Sequence, residues 1–240
     1  MKSFLESKAM AKALRQSLAE RNVEFSHGEC LELIARQFGL ADWNVLSAQI
    51  EAAKAKQTPL LMARGWFPTW FTDTQRYRIG LDPHAPGSAL IECTVSRDVD
   101  PEKERFACMV QSTDAGNYRG MKLRLTAHLR CEDADLGTIW MRVDGDEHRS
   151  LRFDNMMARE VNGPIRGTVG WTTRSIVLDI PYEAASLHYG FFLKGHGKVW
   201  ARQFRLEVAS EDAPITETSP EIPERKALPK QPINLDFMAA

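Results

Sequence analysis

The sequence lacks the cysteine pattern of a zinc ribbon or a disulfide framework. Its four cysteines stand far apart, form no CxxC pair and show no short regular spacing, which favours a reducing compartment. No apolar run approaches the roughly 18–20 residues that span a bilayer. The first residues, MKSFLESKAMAKALRQ, carry charges where a secretory signal would be apolar. These absences predict a cytoplasmic protein that has no membrane partner.

Neither sign of charge is in excess. Lys and Arg total 31 and Asp and Glu total 32, which gives a formal net charge of −1, so the chain has no general attraction for nucleic acid or anionic membrane. The composition, with 43% apolar and 26% charged residues, is that of an ordinary soluble globular protein. Only a local basic patch would attract a polyanion.

Motifs of catalysis and cofactor binding are also missing. The glycines form neither GxxxxGK[ST] nor a GxGxxG between a strand and a helix. The six histidines, at positions 27, 84, 128, 148, 188 and 196, show no HxH, HExxH or HxxxH grouping. We therefore expect no catalytic residues, no cofactor and no metal, and a protein that is not an enzyme. A nucleophile–base pair or a metal cluster assembled from distant positions is the alternative.

The N-terminal segment, up to Thr58, contains no proline, and its apolar residues recur at helical spacing. The pattern predicts a first helix over Lys2–Asn22, opened by a capping box that starts at Ser3. A second capping box starts at Ser26 and opens a helix over Glu29–Phe38, and Asp42 caps a third helix. Three short helices can bury one small core, so the sequence predicts a separate helical domain over residues 1–58.

Between residues 59 and 208 the apolar period changes to two. KLRLTAHLR (122–130) alternates strictly, and TIWMRVDG, SIVLDI and VWARQFRLEV are further segments rich in β-branched and aromatic residues. About eight or nine such strands, separated by turn residues, predict an antiparallel β-sandwich with jelly-roll topology. Gly195-His196-Gly197, between two strands, indicates a hairpin turn with positive φ. The fold class is therefore α+β, as two domains.

The amino-acid composition changes again in the C-terminal segment, residues 209–240. Five of the twelve prolines fall here, with six acidic residues, three basic residues and few large apolar side chains. Such a segment buries too little surface to offset the entropy of ordering it. We expect a disordered acidic tail, in which the closing INLDFMAA is an apolar cluster that could act as a short docking motif.

Two stretches carry the candidate ligand-binding residues. Tryptophans of a β-sandwich more often fill the space between the two sheets than bind a ligand. GWFPTWF fits that role least, because its aromatics are off the strict period of two and a proline interrupts them, so they could stack on a sugar ring or another flat ligand. MRVDGDEHRSLRFDN (141–155) places polar residues around one hairpin, where oxygen-rich turns can hold calcium. A plain Asp-Gly turn, which needs no metal, is the preferred interpretation, because the spacing does not match an EF-hand loop. The predicted ligand site consists of Trp66, Trp70, Arg142, Asp144, Asp154 and Asn155.

The helical part carries a recognisable motif. AKALRQSL followed by SHGECLELIARQFGLADWNVLSA, within residues 6–52, resembles the small helical segment of glyoxalase-related proteins. In that family the segment often accompanies a metal-binding glyoxalase or bleomycin-resistance fold. The paired βαβββ units of that fold, with their His and Glu ligands, are absent from this sequence. The resemblance therefore does not imply lactoylglutathione lyase activity.

The β-rich part contains a series of motifs in a familiar order. They include YRIGLD (77–82), IWMRVDG (139–145), FDNM (153–156), GTVGW (167–171) and GHGKVW (195–200). In this order they resemble a β-sandwich domain appended to some bacterial transcription regulators and hydrolases, which is similar to galactose-binding-like and carbohydrate-binding jelly rolls. The resemblance implies a ligand-binding or interaction role without catalysis.

Two functions are therefore open. The first is a non-catalytic binding protein, whose sandwich senses a small ligand or docks a protein partner. The second is a transcription regulator, because Ala35, Gly39 and Val45 stand at the relative spacing of a helix-turn-helix. The segment up to Thr58 contains eight basic and seven acidic side chains, and such a balance neutralises DNA phosphates poorly. DNA is therefore the alternative partner, and the first function is preferred.

Overall fold

The computed structural model describes residues 6–146, 149–216 and 230–238. The chain divides into two units, Met1–Thr58 and Pro59–Ala240. Helices make up the first, and strands dominate the second. The prediction of a three-helix unit followed by an antiparallel jelly-roll β-sandwich is confirmed. None of the helices in the described ranges is both long and apolar enough to cross a membrane.

Three helices form the first unit, and their facing apolar side chains make one small core. The helices span Ser7–Ala19 (α1), His27–Gln37 (α2) and Trp43–Gln57 (α3). The first helix ends at Ala19 rather than at the predicted Asn22, and the predicted cap Ser3 lies outside the described residues. The buried core residues are Ala11, Cys30, Ile34, Ala35, Leu46 and Ile50.

The predicted caps of α2 and α3 are confirmed. The Ser26 hydroxyl accepts a hydrogen bond from the Glu29 N–H at 3.2 Å, and the Ser26 N–H donates to the Glu29 carboxylate at 2.8 Å. The bond from the Ser26 backbone, helped by its hydroxyl, holds the pKa of Glu29 below its ordinary value. Asp42 accepts from the Val45 N–H at 2.9 Å. Phe38, the last residue of the predicted second helix, is instead the capping residue that follows it and is exposed.

In the described part of the second unit, strands pair with their neighbours in antiparallel fashion. The strands are β1 (Phe67–Pro68), β2 (Tyr77–Leu81), β3 (Ser88–Cys93), β4 (Phe106–Asp114), β5 (Lys122–Asp144), β6 (Ser150–Asp154), β7 (Ile165–Asp179), β8 (Ser186–Lys194) and β9 (Lys198–Val208).

β5 is a long strand that belongs to both sheets of the sandwich. Its first part pairs with β7 and β9, and its last part pairs with β6 and β8. These nine strands form one continuous hydrogen-bonded arrangement, which β5 divides into two layers. We term β1-β4-β8-β5-β6 the first sheet and β2-β3-β9-β5-β7 the second sheet. KLRLTAHLR and TIWMRVDG, predicted as separate strands, are parts of this one strand. The polar residues between them continue through register shifts and a left-handed Asp133 instead of forming a turn.

The main core lies between the two sheets. On β5, Ile139, Met141 and Val143 enter this core, and the residues between them face away because side chains alternate along a strand. The β8 side chains Tyr189 and Phe191 are fully buried in the same core. This alternation leaves a second, outward-facing set of side chains on the first sheet.

The Gly195-His196-Gly197 turn joins β8 to β9, as the sequence predicts. Both glycines have positive φ, +77° and +93°, a region that glycine adopts readily. The Asp135 carboxylate accepts a hydrogen bond from the His196 N–H at 2.8 Å and lies 3.0 Å from His196 Nδ1. Burial raises the pKa of Asp135, but the bonds to His196 and the ion pair with Arg97 outweigh it and hold the pKa below its ordinary value. His196 therefore fastens this turn to β5.

The described parts of the C-terminal segment pack on the sandwich, in contrast to the predicted disordered tail. The Phe237 side chain is only 2% exposed, and its ring centroid lies 5.0 Å from that of Trp66 and 5.8 Å from that of Phe204. Nearer to the last strand, Ala213 is buried as well. The prediction of disorder was based on the average composition of the segment. An average does not show that a single aromatic residue, Phe237, packs against rings that are distant in the sequence. INLDFMAA thus contains a segment that docks on its own domain.

Candidate functional site

The outward-facing side chains of β4, β8 and β5 form a surface that we term the outer face of the first sheet. The strand register places these residues opposite one another in rows that are mostly apolar at one end, apart from Lys194 and Thr138, and polar at the other. The rows are Phe106–Lys194–Leu136, Cys108–Phe192–Thr138, Val110–Gly190–Trp140, Ser112–His188–Arg142 and Asp114–Ser186–Asp144.

Five residues at one end of the outer face form a polar cluster: Ser112, Arg142, Asp144, Ser186 and His188. The Asp144 carboxylate lies 2.9 Å from Arg142 Nη2 and 3.2 Å from His188 Nε2. Ser112 Oγ lies 2.8 Å from His188 Nδ1, and Ser186 Oγ lies 3.0 Å from His188 Nε2. Asp144 Oδ1 has no hydrogen-bond partner among the described residues. The cluster thus contains one buried acceptor oxygen, Asp144 Oδ1, to which no described residue donates a hydrogen bond.

The local sequence explains why these groups meet. Arg142 and Asp144 are two residues apart on β5 and therefore share one face of the sheet. His188 stands directly opposite Arg142 on β8. The Asp144 side chain is only 2% exposed, and a buried carboxylate is tolerated when a cation and hydrogen bonds compensate its charge. Arg142 supplies that cation.

Trp140 lies over the middle of the outer face. Its Nε1 donates a hydrogen bond to Cys108 Sγ at 3.0 Å, so the indole reaches from β5 to β4 across the intervening β8. Gly190 stands between Trp140 and Val110 in the register and has no side chain to obstruct the ring. Burial raises the pKa of the Cys108 thiol. Cys108 is therefore a neutral acceptor and not a reactive thiolate.

An aromatic ladder extends from the other end of the outer face into solvent. It consists of Trp70, Phe71, Phe106 and Phe192, whose successive ring centroids are 5.4, 5.0 and 5.9 Å apart. Phe192 is buried at the inner end, and Trp70, at the outer end, is 83% exposed. Exposed aromatic rings at the edge of a partly apolar surface are suited to stacking on a flat ligand.

The two tryptophans of GWFPTWF lie in opposite environments. Trp66 is buried in the main core, where its ring contacts Phe204 and Phe237 at 5.0 Å each and its Nε1 donates to the Asn234 carbonyl at 3.1 Å. A ligand therefore cannot stack on Trp66 in this structure. Trp70 is exposed because the chain turns after the two-residue strand β1.

The polar half of the predicted site also divides in two. Arg142 and Asp144 belong to the polar cluster. Asp154, the last residue of β6, is buried, accepts a backbone N–H at 2.7 Å and pairs with Arg159. Asn155, the next residue, accepts a backbone N–H at 3.0 Å. Asp154 and Asn155 thus shape the turn that follows β6. The structure brings Arg142 and Asp144 together, and the ligand-binding role of these residues stays a prediction.

The partners of Arg142 and Asp144 were not predicted from the sequence. Ser112, Ser186 and His188 come from two other strands, and their contact depends on the strand register. One signal was available: in SLHYGFFLK (186–194), Ser186 and His188 alternate with core residues. This pattern places a serine and a histidine on one face of a strand, but it does not identify the strand opposite.

A metal site finds no support in the described ranges. There, no group of three or more His, Cys, Asp or Glu side chains is arranged to hold a metal ion. The hairpin considered for calcium includes Glu147 and His148, which lie outside the described residues. Asp144, the carboxylate that opens this hairpin, is already engaged with Arg142 and His188.

Two comparisons concern the sequence. A family model described as "Glyoxalase superfamily protein" matches residues 1–65, which include the whole helical unit. The chain is also 32% identical over 167 residues to the "Uncharacterized HTH-type transcriptional regulator YbfP" of Bacillus subtilis (strain 168), a match that covers 68% of this chain and 52% of the relative. The chain thus spans about half the length of that relative.

Solved structures similar to this chain include carbohydrate-binding domains and a phage protein. The CBM22-1 xylan-binding domain of Paenibacillus barcinonensis Xyn10C has a TM-score of 0.42 and 8% identity, and covers 62% of this chain and 88% of that one. Tailspike protein 4 of bacteriophage CBA120 has a TM-score of 0.44 and 11% identity, and covers 61% of this chain and 20% of that one. At these identities the likeness concerns the fold alone.

Proposed function

We propose that the sandwich is a non-catalytic binding module for a neutral, hydroxyl-rich ligand, a saccharide, held on the outer face of the first sheet in the cytoplasm. The observation that carries the proposal is the polar cluster. Water can solvate polar groups on a sheet surface that faces away from the core. Folding alone therefore does not require a carboxylate, a guanidinium and an imidazole to be largely buried together there. A binding surface gives these groups a use.

The chemistry of the cluster fits sugar hydroxyl groups. Arg142 and His188, each 15% exposed, are the members of the cluster that a sugar hydroxyl can reach, and Arg142 donates hydrogen bonds to it. The buried Asp144, Ser112 and Ser186 hold these two side chains in place. Arg142 and Asp144 balance each other in charge, so the cluster does not select an anion or a cation. At the far end, Trp70 offers an exposed ring face on which a sugar ring can stack.

The spacing of the two ends suggests an elongated ligand. Ser112, in the polar cluster, and Phe106, in the aromatic ladder, lie on the same face of β4 and are six residues apart. At about 3.3 Å per residue, this separation is about 20 Å. A single monosaccharide contacts only one end, whereas an oligosaccharide contacts both.

A hydrolytic role is the less favoured use of the same residues. Ser112, His188 and Asp144 are the residue types of a nucleophile–base–acid triad. However, Ser112 is buried in the middle of β4, and His188 contacts two hydroxyls at once, one at each ring nitrogen. This arrangement fixes the imidazole and leaves the serine oxygen little access to a substrate carbon.

The relative named as a regulator favours a sensory role for this module. The helical unit ends at Thr58, so most of a match over 167 residues must lie in Pro59–Ala240. The shared part is therefore largely the sandwich, and we propose that ligand binding there serves regulation. Direct DNA contact by α2 and α3 is the alternative. Salt-dependent binding of the full chain to duplex DNA discriminates the two, because absence of binding at low salt removes the alternative.

A thermal-shift screen of the full chain against neutral mono- and oligosaccharides tests the proposal. Residues 230–238 must be kept, since Phe237 is part of the core. A sugar at about 100 times its Kd stabilises by about 2.7 kcal/mol, which raises the Tm of a domain of this size by about 5–10 °C. Trp70→Ala is expected to abolish the shift without lowering the Tm of the free protein, because Trp70 is exposed.

Trp171→Ala, on the second sheet, is the matched control and is expected to retain the shift. If no neutral sugar raises the Tm, or if Trp70→Ala responds as strongly as the unaltered protein, the proposed site is wrong.

A further inference from the structure

The outward-facing surface of the second sheet carries two arginines that lie on two tryptophans. The Arg202 guanidinium carbon lies 4.0 Å from the centroid of the Trp171 ring, and that of Arg130 lies 4.6 Å from the Trp200 ring. Stacking on an indole face holds a guanidinium in a fixed plane and leaves its N–H groups at the edge for other partners. Both arginines are therefore positioned before any ligand arrives.

Arg202 has no anionic partner within the described part of the chain. No carboxylate there lies within salt-bridge distance of its guanidinium, and its enclosed Nε makes no hydrogen bond in that part. The two terminal nitrogens of Arg202, Nη1 and Nη2, also make no hydrogen bond within the described residues, and they are not among the buried atoms without a partner. Three carboxylates of this face are engaged elsewhere: Glu92 with Arg78 at 3.2 Å, Glu132 with Lys198 at 2.8 Å and with Arg130 at 3.9 Å, and Asp82 with the Trp200 indole N–H at 2.6 Å.

Further donors surround Arg202 in the strand register. His128 on β5 stands directly opposite Arg202 on β9, and such pairs have Cβ atoms about 4.5–5.5 Å apart. Arg130 is two residues from His128 on the same face of β5, and Thr173 on β7 stands opposite His128 on its other side. Three nitrogen-bearing side chains and one hydroxyl thus share one patch of the sheet.

We propose that this patch binds an oxyanion, a phosphoryl or carboxylate group of a small ligand, with Arg202 as its principal contact. A guanidinium pairs with such a group through two parallel N–H···O bonds. Arg130, His128 and Thr173 add donors around it. This site is separate from the proposed saccharide surface and takes ligands of a different charge, so either site can exist without the other.

The six tryptophan indole N–H signals in a ¹H–¹⁵N spectrum of the full chain test this proposal. The protein is titrated with inorganic phosphate, and separately with acetate, while sodium chloride keeps the ionic strength constant. We expect the Trp171 signal, assigned with Trp171→Phe, to move saturably with at least one of the two anions while the Trp70 signal stays in place. The anion that binds more tightly distinguishes a phosphoryl from a carboxylate site.

Arg202→Gln is expected to weaken this binding by about 10-fold or more, because it removes the bidentate contact. Arg205→Gln, which removes an exposed arginine from the same strand, is expected to leave the affinity within about 2-fold, because salt screens a charge that does not touch the anion. Should Arg202→Gln fail to fold, Arg202→Lys keeps the charge without the planar fork and is expected to weaken binding in a folded protein. No saturable movement with either anion, or equal weakening by Arg205→Gln, overturns the proposal.

Discussion

Arg142→Met is expected to lower the free energy of unfolding of the sandwich by about 3–5 kcal/mol, because it leaves the Asp144 carboxylate buried without its cation. The pair distance is 2.9 Å and the Asp144 side chain is 2% exposed, so solvent cannot replace the arginine. Urea unfolding followed by tryptophan fluorescence measures the loss. A Trp43→Phe background restricts the signal to the second unit, because Trp43 belongs to α3.

Two further variants separate the charge effect from lost packing. Arg142→Met with Asp144→Leu removes both charges and is expected to recover much of the stability, since replacing a whole buried ion pair is often neutral. Arg124→Met, which removes an exposed arginine of the same strand, is expected to cost less than about 1 kcal/mol. If Arg142→Met alone is as stable as Arg124→Met, the buried Asp144 carboxylate does not need Arg142 to compensate its charge.

Phe237→Ala is expected to cost about 3–5 kcal/mol, the range for removing a buried phenylalanine from a core. Its ring packs against Trp66 and Phe204, so the loss should appear in the same urea transition of the second unit. The large effect is expected although the residue is the fourth from the end of the chain, in a segment whose composition is that of a disordered tail.

Met238→Ala is the matched control for Phe237→Ala. Met238 is the next residue and is 70% exposed, so its truncation is expected to change stability by less than about 0.5 kcal/mol. Equal effects of the two variants would mean that the C-terminal segment does not contribute to the core in solution.

Local signals in the sequence predicted the local features of the fold. Ser26 and Asp42 cap their helices because capping depends on residues within one turn. The period of two in KLRLTAHLR predicted a strand because it records which face is buried. The glycines at 195 and 197 predicted their turn because few other residues adopt positive φ.

Features that depend on distant contacts were not predictable in this way. Trp66 and Trp70 are four residues apart, yet one is in the core and the other is exposed, because a two-residue strand and a turn separate them. Arg142 and Asp144 were identified as polar residues of one hairpin, but the register that brings His188 beside them is a property of the whole sheet. Phe237 packs against rings from distant parts of the sequence, which its local composition does not reveal.

The most direct test of saccharide binding is a titration of the full chain with neutral oligosaccharides, followed through the six indole N–H signals. Trp70 stands on the aromatic ladder and Trp140 beside the polar cluster, whereas Trp171 and Trp200 lie on the other sheet. We expect at least one oligosaccharide to move the Trp70 and Trp140 signals saturably and to leave those of Trp171 and Trp200 in place. Movement confined to Trp171 and Trp200, or no saturable movement with any oligosaccharide, would contradict binding on the outer face of the first sheet.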